Sequence, residues 1–203
     1  MINKFHKNGF TLVEILVVTA IIVIVSLVLV NFQIGIFRQN NFLANSLTGE
    51  QDARLVIGHL VAELREAVPS EAGAYPITLA DKDRLTFYSD VDHDGLHDRL
   101  RYFLATTTLM RGVLKPTGAP LVYVEGNEKI SPVITNVVNP AAQIFSYYDQ
   151  NYAGTSTALT LPLNIPDVRL VKVSLMIEAD PNRSPAPVTY EGQVSIRSLK
   201  DNL

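Results

Sequence analysis

The pattern of apolar and polar residues changes twice along the chain. Residues 10–30 are almost entirely apolar, and Glu14 is their one charged side chain. A helix over this run would be roughly 31 Å long, enough to cross the hydrocarbon core of a bilayer. We therefore predict a transmembrane helix at residues 10–30.

The pattern that follows, in residues 31–68, is that of an amphipathic helix. Ile57, Leu60, Val61, Leu64 and Val68 recur at the spacing that places apolar side chains on one helical face. No proline occurs before Pro69, which then ends the pattern. The apolar helix is thus predicted to continue as an amphipathic one.

Beyond Pro69 the apolar positions alternate with polar ones, and Pro, Gly and Asn punctuate the gaps. This is the pattern of β-strands with short connections. We predict strands at residues 84–88, 100–104, 108–114, 143–148, 169–178 and 188–196. The fold class is predicted as α+β: a long N-terminal helix packed on an antiparallel sheet, with a globular β-rich domain at 69–203.

Basic residues precede the apolar run and set its expected orientation. Lys4, His6 and Lys7 keep residues 1–9 in the cytoplasm by the positive-inside rule, so the remainder faces outward. A secretory signal peptide has a shorter apolar core than this run. Glu14 within a spanning helix costs at least about 2.5 kcal/mol, so its carboxylate is expected to have a partner. In a plain signal-anchor, the alternative, Glu14 would lie near the lipid headgroups.

The run Lys7-Asn8-Gly9-Phe10-Thr11-Leu12-Val13-Glu14 resembles the class III signal of type IV prepilins and type II secretion pseudopilins. The resemblance implies a pilin-like fold and a prepilin peptidase that cleaves between Gly9 and Phe10. It also implies N-methylation of Phe10, and pairing of Glu14 with the terminal ammonium of a neighbouring subunit or of its own chain. The leader, residues 1–9, would be removed.

Residues 85–118 and the C-terminal segment around Val194 further resemble minor pilins and pseudopilins of the J and W kinds. The resemblance implies a structural subunit that helps to initiate or cap a type II secretion pseudopilus or a type IV pilus. Its partners would be other subunits and the inner-membrane assembly platform. It would first lie in the inner membrane and then in a filament in the periplasm or at the cell surface. Type II secretion, type IV pili and competence pili use the same signal, so the machine stays open, as does the type of envelope.

The alternative function is a binding module displayed on such a filament, for adhesion or for DNA uptake. Arg99, Arg101, Arg111 and Lys115 form a possible basic strip for DNA, although each could simply face solvent. The formal charge is −3, and it becomes −5 when Lys4 and Lys7 leave with the leader, which argues against broad nucleic-acid binding.

Neither composition nor motifs favour catalysis. The chain has no Cys, which excludes disulfides and Cys-ligated metals. It also has no Gly-x-Ser-x-Gly, His-Glu-x-x-His or phosphate-binding Gly-rich motif. We expect a substrate of the peptidase, not an enzyme.

A second candidate site is an acidic run with calcium-loop spacing. Asp90, Asp92, Asp94 and Asp98 occupy positions 1, 3, 5 and 9, Gly95 occupies position 6, and the Leu96 carbonyl would be the ligand from position 7. Position 12, normally Glu, is Arg101, so the loop lacks its last ligand. We predict a structural Ca²⁺ site in a β-hairpin. The alternatives are an empty Asp-Gly turn, or a transition metal suggested by His93 and His97.

Overall fold

The computed structural model of the protein describes residues 11–178 and 187–199, without the side chains of residues 35 and 37–50. The described residues form one long α-helix, eight strands and four short 3₁₀ turns. The α+β prediction is therefore confirmed. The chain divides into two compact units, Met1–Leu47 and Thr48–Leu203.

The first unit contains the N-terminal part of helix α1, which extends from Leu12 to Arg65. Its segment Leu12–Ile34, of 23 residues, is long and apolar enough to cross a membrane, and none of it is buried inside the protein. At about 1.5 Å per residue this segment measures about 35 Å. The helix continues through Asn31, because no proline interrupts its hydrogen bonds.

The second unit begins with the C-terminal part of α1. Five of its residues are buried in a row of helical spacing: Ala53, Val56, Ile57, Leu60 and Leu64. Three of these belong to the predicted apolar stripe, whereas Val61 is only half-buried. The helix ends at Arg65, and the Val68 N–H then donates to the Tyr88 carbonyl, so the chain passes from helix to sheet before Pro69.

Within the described part of the chain, eight strands form two antiparallel sheets. The first is a five-stranded meander in chain order: β1 (Ile77–Ala80), β2 (Arg84–Ser89), β3 (Asp98–Ala105), β4 (Thr108–Leu114) and β5 (Lys129–Ile134). The second contains β6 (Phe145–Tyr148), β7 (Leu170–Ile177) and β8 (Val188–Ser195). All six predicted strands are present, and their ends differ from the prediction by at most two residues.

The structure corrects the sheet prediction in two respects. The described residues form two sheets where one was expected, and β1 and β5 were not predicted. β5 is a mostly exposed edge strand that contains Pro132, so it lacks the alternation that identifies a half-buried strand. Residues 137 and 138 connect the sheets, since the Val137 N–H donates to Thr107 and the Val138 N–H donates to Met176.

The core lies between the helix and the two sheets of the second unit. Its largest fully buried side chains include Leu60, Leu64, Phe87, Tyr102 and Tyr147. A polar contact fixes the helix to the first sheet: Glu63 accepts hydrogen bonds from the Tyr102 hydroxyl at 2.7 Å and from Arg111 Nη2 at 2.5 Å.

Candidate functional sites

The first site is the start of α1. Glu14 Oε2 accepts hydrogen bonds from the Thr11 N–H and from the Thr11 hydroxyl, each at 2.9 Å. In return, the Glu14 N–H donates to Thr11 Oγ1 at 3.2 Å. This reciprocal arrangement is a capping box, in which N-cap and N3 side chains satisfy each other's backbone N–H groups. The carboxylate therefore has a partner within its own first turn.

The sequence signal for this contact is Thr-x-x-Glu before an apolar run, and the partner predicted for Glu14 was instead a terminal ammonium. Gly9 and Phe10, between which cleavage is predicted, lie outside the described residues. The Glu14 carboxylate is bonded to the N–H of Thr11, the residue that directly follows Phe10. A new amino group on Phe10 would thus form one residue away from the capping box.

The second site is the loop that joins β2 to β3. Ligand oxygens of Asp90, Asp92 and Asp94 all lie within 4.8 Å of one another. The Asp90 carboxylate shapes the turn by accepting the N–H groups of Asp94 at 3.2 Å and Gly95 at 3.0 Å. Gly95 adopts φ +88°, a left-handed conformation that glycine enters without steric cost.

Asp98 closes this loop as the first residue of β3. It is only 1% exposed, and its Oδ1 has no hydrogen-bond partner. Burial raises the pKa of Asp98 to about 6, and the negative charges of Asp92, Asp94 and Asp90 act in the same direction, against the Lys115 ammonium. Asp98 is not one of the three residues whose oxygens lie mutually within 4.8 Å.

Lys115 supplies positive charge to the loop. Its Nζ donates to Asp92 Oδ2 and, at 3.2 Å, to Asp94 Oδ2. These hydrogen bonds lower the pKa of Asp92 and raise the pKa of Lys115. Spacing along the sequence does not connect Lys115 with the loop. The β3–β4 register does so, because Arg99, beside the loop, pairs with Leu114, the last residue of β4, and Lys115 directly follows Leu114.

The remaining predicted ligands have contacts elsewhere in or near the loop. The Leu96 N–H donates to Asp94 Oδ1 at 2.9 Å. The His97 Nδ1 atom lies 2.8 Å from the Pro69 carbonyl, and the His97 N–H donates to Glu71 Oε1 at 3.0 Å. Tyr123 donates its hydroxyl to the His97 carbonyl at 2.6 Å. These contacts attach the end of the acidic loop to two other segments of the domain.

The four cations of the possible DNA strip are all ion-paired. Closest N···O distances are 2.5 Å for Arg99 with Glu125, for Arg101 with Glu128 and for Arg111 with Glu63. Lys115 pairs with two aspartates of the loop. Their positive charge is therefore matched by adjacent carboxylates and does not form a basic surface.

Comparison with protein families identifies the N-terminal segment. Residues 4–30 match the model described as "Prokaryotic N-terminal methylation motif". No curated protein matches the chain in sequence. The match includes Gly9, Phe10 and Glu14 and covers the start of the apolar helix. The chain therefore carries, at residues 4–30, a signal similar to that of type IV prepilins.

Proposed function

We propose that this protein is a minor pilin or pseudopilin, a structural subunit that helps to initiate or cap a filament. The observation that carries the proposal is the methylation-motif match at residues 4–30. The exposed apolar helix Leu12–Ile34 supports it, because such a helix needs either lipid or other helices around it. The α+β domain that follows is consistent with a pilin-like plan.

The proposed pathway starts in the inner membrane. A prepilin peptidase removes residues 1–9 by cleaving between Gly9 and Phe10, and the new amino group of Phe10 is methylated. An assembly platform then transfers the subunit from the membrane to a filament, where the apolar helices of neighbouring subunits replace lipid as the surroundings of residues 12–34. The C-terminal domain remains outside the membrane throughout.

Glu14 has a specific role in this proposal. Its carboxylate pairs with the ammonium of Phe10, either in its own chain or in the next subunit, and sets the axial register of the helices. The capping box supports the pairing within one chain, because it directs the carboxylate toward the residue beside Phe10.

The minor role and the machine are finer parts of the same proposal. The resemblance of residues 85–118 to the J and W kinds supports a minor subunit. A pseudopilus of type II secretion, a type IV pilus and a competence pilus all fit the same signal. The DNA-binding alternative loses support, because each cation of the possible strip already has a carboxylate partner.

The proposal is tested by incorporation of the full chain into filaments in a host that has a prepilin peptidase and an assembly platform. Wild-type protein should appear in the sheared filament fraction on immunoblots. Glu14→Gln preserves a capping acceptor but removes the charge, so it should be cleaved and remain in the membrane fraction. Glu191→Gln, at an exposed ion pair on β8, is the matched control and should enter filaments. Absence of the wild-type chain from filaments that assemble normally would contradict the proposal.

A further inference from the structure

Arg99 and Arg101 lie on the outer face of the first sheet, opposite the face that packs on the core. Side chains alternate along a strand, and Leu100, between the two arginines, belongs to the core. Tyr88 and Leu114 lie beside Arg99 on the neighbouring strands, and both are buried without belonging to the core cluster. The outer face therefore has a cover of its own.

The cover includes residues 121–128 of the β4–β5 connection, which we call the strap. Three of its side chains contact the outer face: Tyr123 packs on Tyr88, Glu125 pairs with Arg99, and Glu128 pairs with Arg101. None of the strap residues is buried, and the Asn127 and Glu128 N–H groups donate within the strap. A segment with few buried side chains and local backbone hydrogen bonds opens at a small cost in free energy. The strap is thus suited to leave the sheet.

The contact of Glu128 with Arg101 has the form of a carboxylate site. Glu128 Oε1 accepts a hydrogen bond from Arg101 Nε at 2.9 Å, and Oε2 accepts one from Nη2 at 2.5 Å. Gly112 lies opposite Arg101 and leaves space for the carboxylate, because a Cβ there would lie 2.8 Å from Glu128 Cδ. The Phe103 ring centroid is 4.4 Å from Arg101 Cζ, which holds the guanidinium by a cation–π contact.

The neighbouring contact of Glu125 with Arg99 is incomplete. The Glu125 carboxylate binds Nη1 and Nη2 of Arg99, each at 2.5 Å, and 74% of its side chain is exposed. Arg99 Nε is buried and has no hydrogen-bond partner among the described residues. A buried donor without a partner is unfavourable. A carboxylate bound to Nε and one Nη atom, as Glu128 is on Arg101, would satisfy this donor.

We propose that the outer face is a binding site for an acidic segment of another protein, and that the strap occupies this site in the free chain. Charge complementarity defines the ligand, because the face offers two guanidinium groups and its present occupants are carboxylates three residues apart. A nucleic acid, with a charge on every phosphate, is disfavoured by the net charge of −3 more than a short acidic segment is. Because the strap is part of the same chain, its high effective concentration keeps the site closed. The proposal does not depend on the filament role.

The test uses a fluorescent peptide with the sequence of residues 121–129, titrated with the full chain in detergent and followed by anisotropy. The double variant Glu125→Gln/Glu128→Gln should bind the peptide about 2- to 30-fold more tightly than wild type, since two pairs of the internal occupant are weakened. Adding Arg101→Gln should weaken this binding about 2- to 10-fold. Glu191→Gln, at an exposed pair on β8, is the matched control and should bind like wild type.

Hydrogen exchange tests the opening of the strap independently of peptide affinity. The amides of Asn127 and Glu128 should exchange faster in the double variant than in Glu191→Gln. Circular dichroism establishes that each variant is folded. If the double variant is not, Glu125→Gln alone, at an exposed position, should show a smaller change in the same direction.

Four results would overturn the proposal. If a folded double variant exchanges no faster at the strap, or binds the peptide no more tightly than Glu191→Gln does, the strap is a fixed part of the sheet. If a peptide with Gln in place of both glutamates binds equally well, the site does not recognise carboxylates. If Arg101→Gln changes nothing, the peptide binds elsewhere. If the double variant binds single-stranded DNA and not the peptide, the ligand is a nucleic acid.

Discussion

Replacement of Gly192 by Ala should separate α1 from the second sheet. Gly192 lies on β8 opposite Val173, and an added Cβ would lie 2.4 Å from Ile57 Cγ2 and 3.0 Å from Val61 Cγ2. Normal carbon contacts are about 3.5–4.0 Å, so the helix would have to move by about 1 Å. Such overpacking costs about 1–3 kcal/mol. Ala loses less conformational entropy than Gly when the strand folds, and this offsets about 0.5 kcal/mol of the cost. We expect a net loss of about 0.5–2.5 kcal/mol in the free energy of unfolding.

The measurement is urea unfolding of the full chain in detergent, followed by the near-ultraviolet circular dichroism of its tyrosines. Gly58→Ala is the matched control: Gly58 is on the helix with no atom within 4 Å of an added Cβ, so Ala there should stabilise by about 0.5–1 kcal/mol. Ile57→Ala removes the obstructing methyl. The double variant with Gly192→Ala should therefore be less destabilised than the sum of the singles by about 1–3 kcal/mol. The close approach of helix and strand would be refuted if Gly192→Ala left the free energy of unfolding unchanged. It would also be refuted if the losses of Gly192→Ala and Ile57→Ala simply added in the double variant.

Three further predictions concern polar contacts. Glu63→Ala should lower the free energy of unfolding by about 2 kcal/mol, because it leaves the half-buried Arg111 unpaired and removes the acceptor of the Tyr102 hydroxyl. Tyr102→Phe should cost about 1 kcal/mol, and the exposed Glu125→Gln less than about 0.5 kcal/mol. Equal losses for Glu63→Ala and Glu125→Gln in urea unfolding would contradict this order. Gly95→Ala should cost about 1–2 kcal/mol because its φ is +88°, and an unchanged urea midpoint would count against the turn. The full chain should give no mobility shift with DNA at low salt, since its candidate strip is ion-paired; a salt-sensitive shift would restore the DNA-binding alternative.

Elements with strong periodicity could be predicted from the sequence. The alternation in β7 appears directly as alternate burial of its side chains, and the row Ile57, Leu60, Leu64 is buried on one face of α1. β5 could not be predicted in the same way, because an exposed edge strand with Pro132 has no buried face to impose a pattern. The division into two sheets depends on contacts between distant segments, which local periodicity does not encode.

In the candidate sites, too, local contacts could be predicted from the sequence and contacts between distant segments could not. The spacing of Asp90, Asp92 and Asp94 predicted a cluster, and the structure brings these carboxylates together. The contribution of Lys115 was not predictable, because it depends on the register of β4 beside β3. The local partner of Glu14 was predictable in principle, since Thr-x-x-Glu is a known capping pattern. Whether the cluster binds Ca²⁺ stays a prediction.

The most direct test of the filament proposal is the intact mass of the protein purified from a host with an active prepilin peptidase. The proposal predicts a mass that lacks residues 1–9 and carries one added methyl group, with fragmentation placing both changes at Phe10. An unprocessed mass, measured while the same peptidase cleaves a control prepilin, would contradict the proposal and leave the apolar helix as a plain membrane anchor.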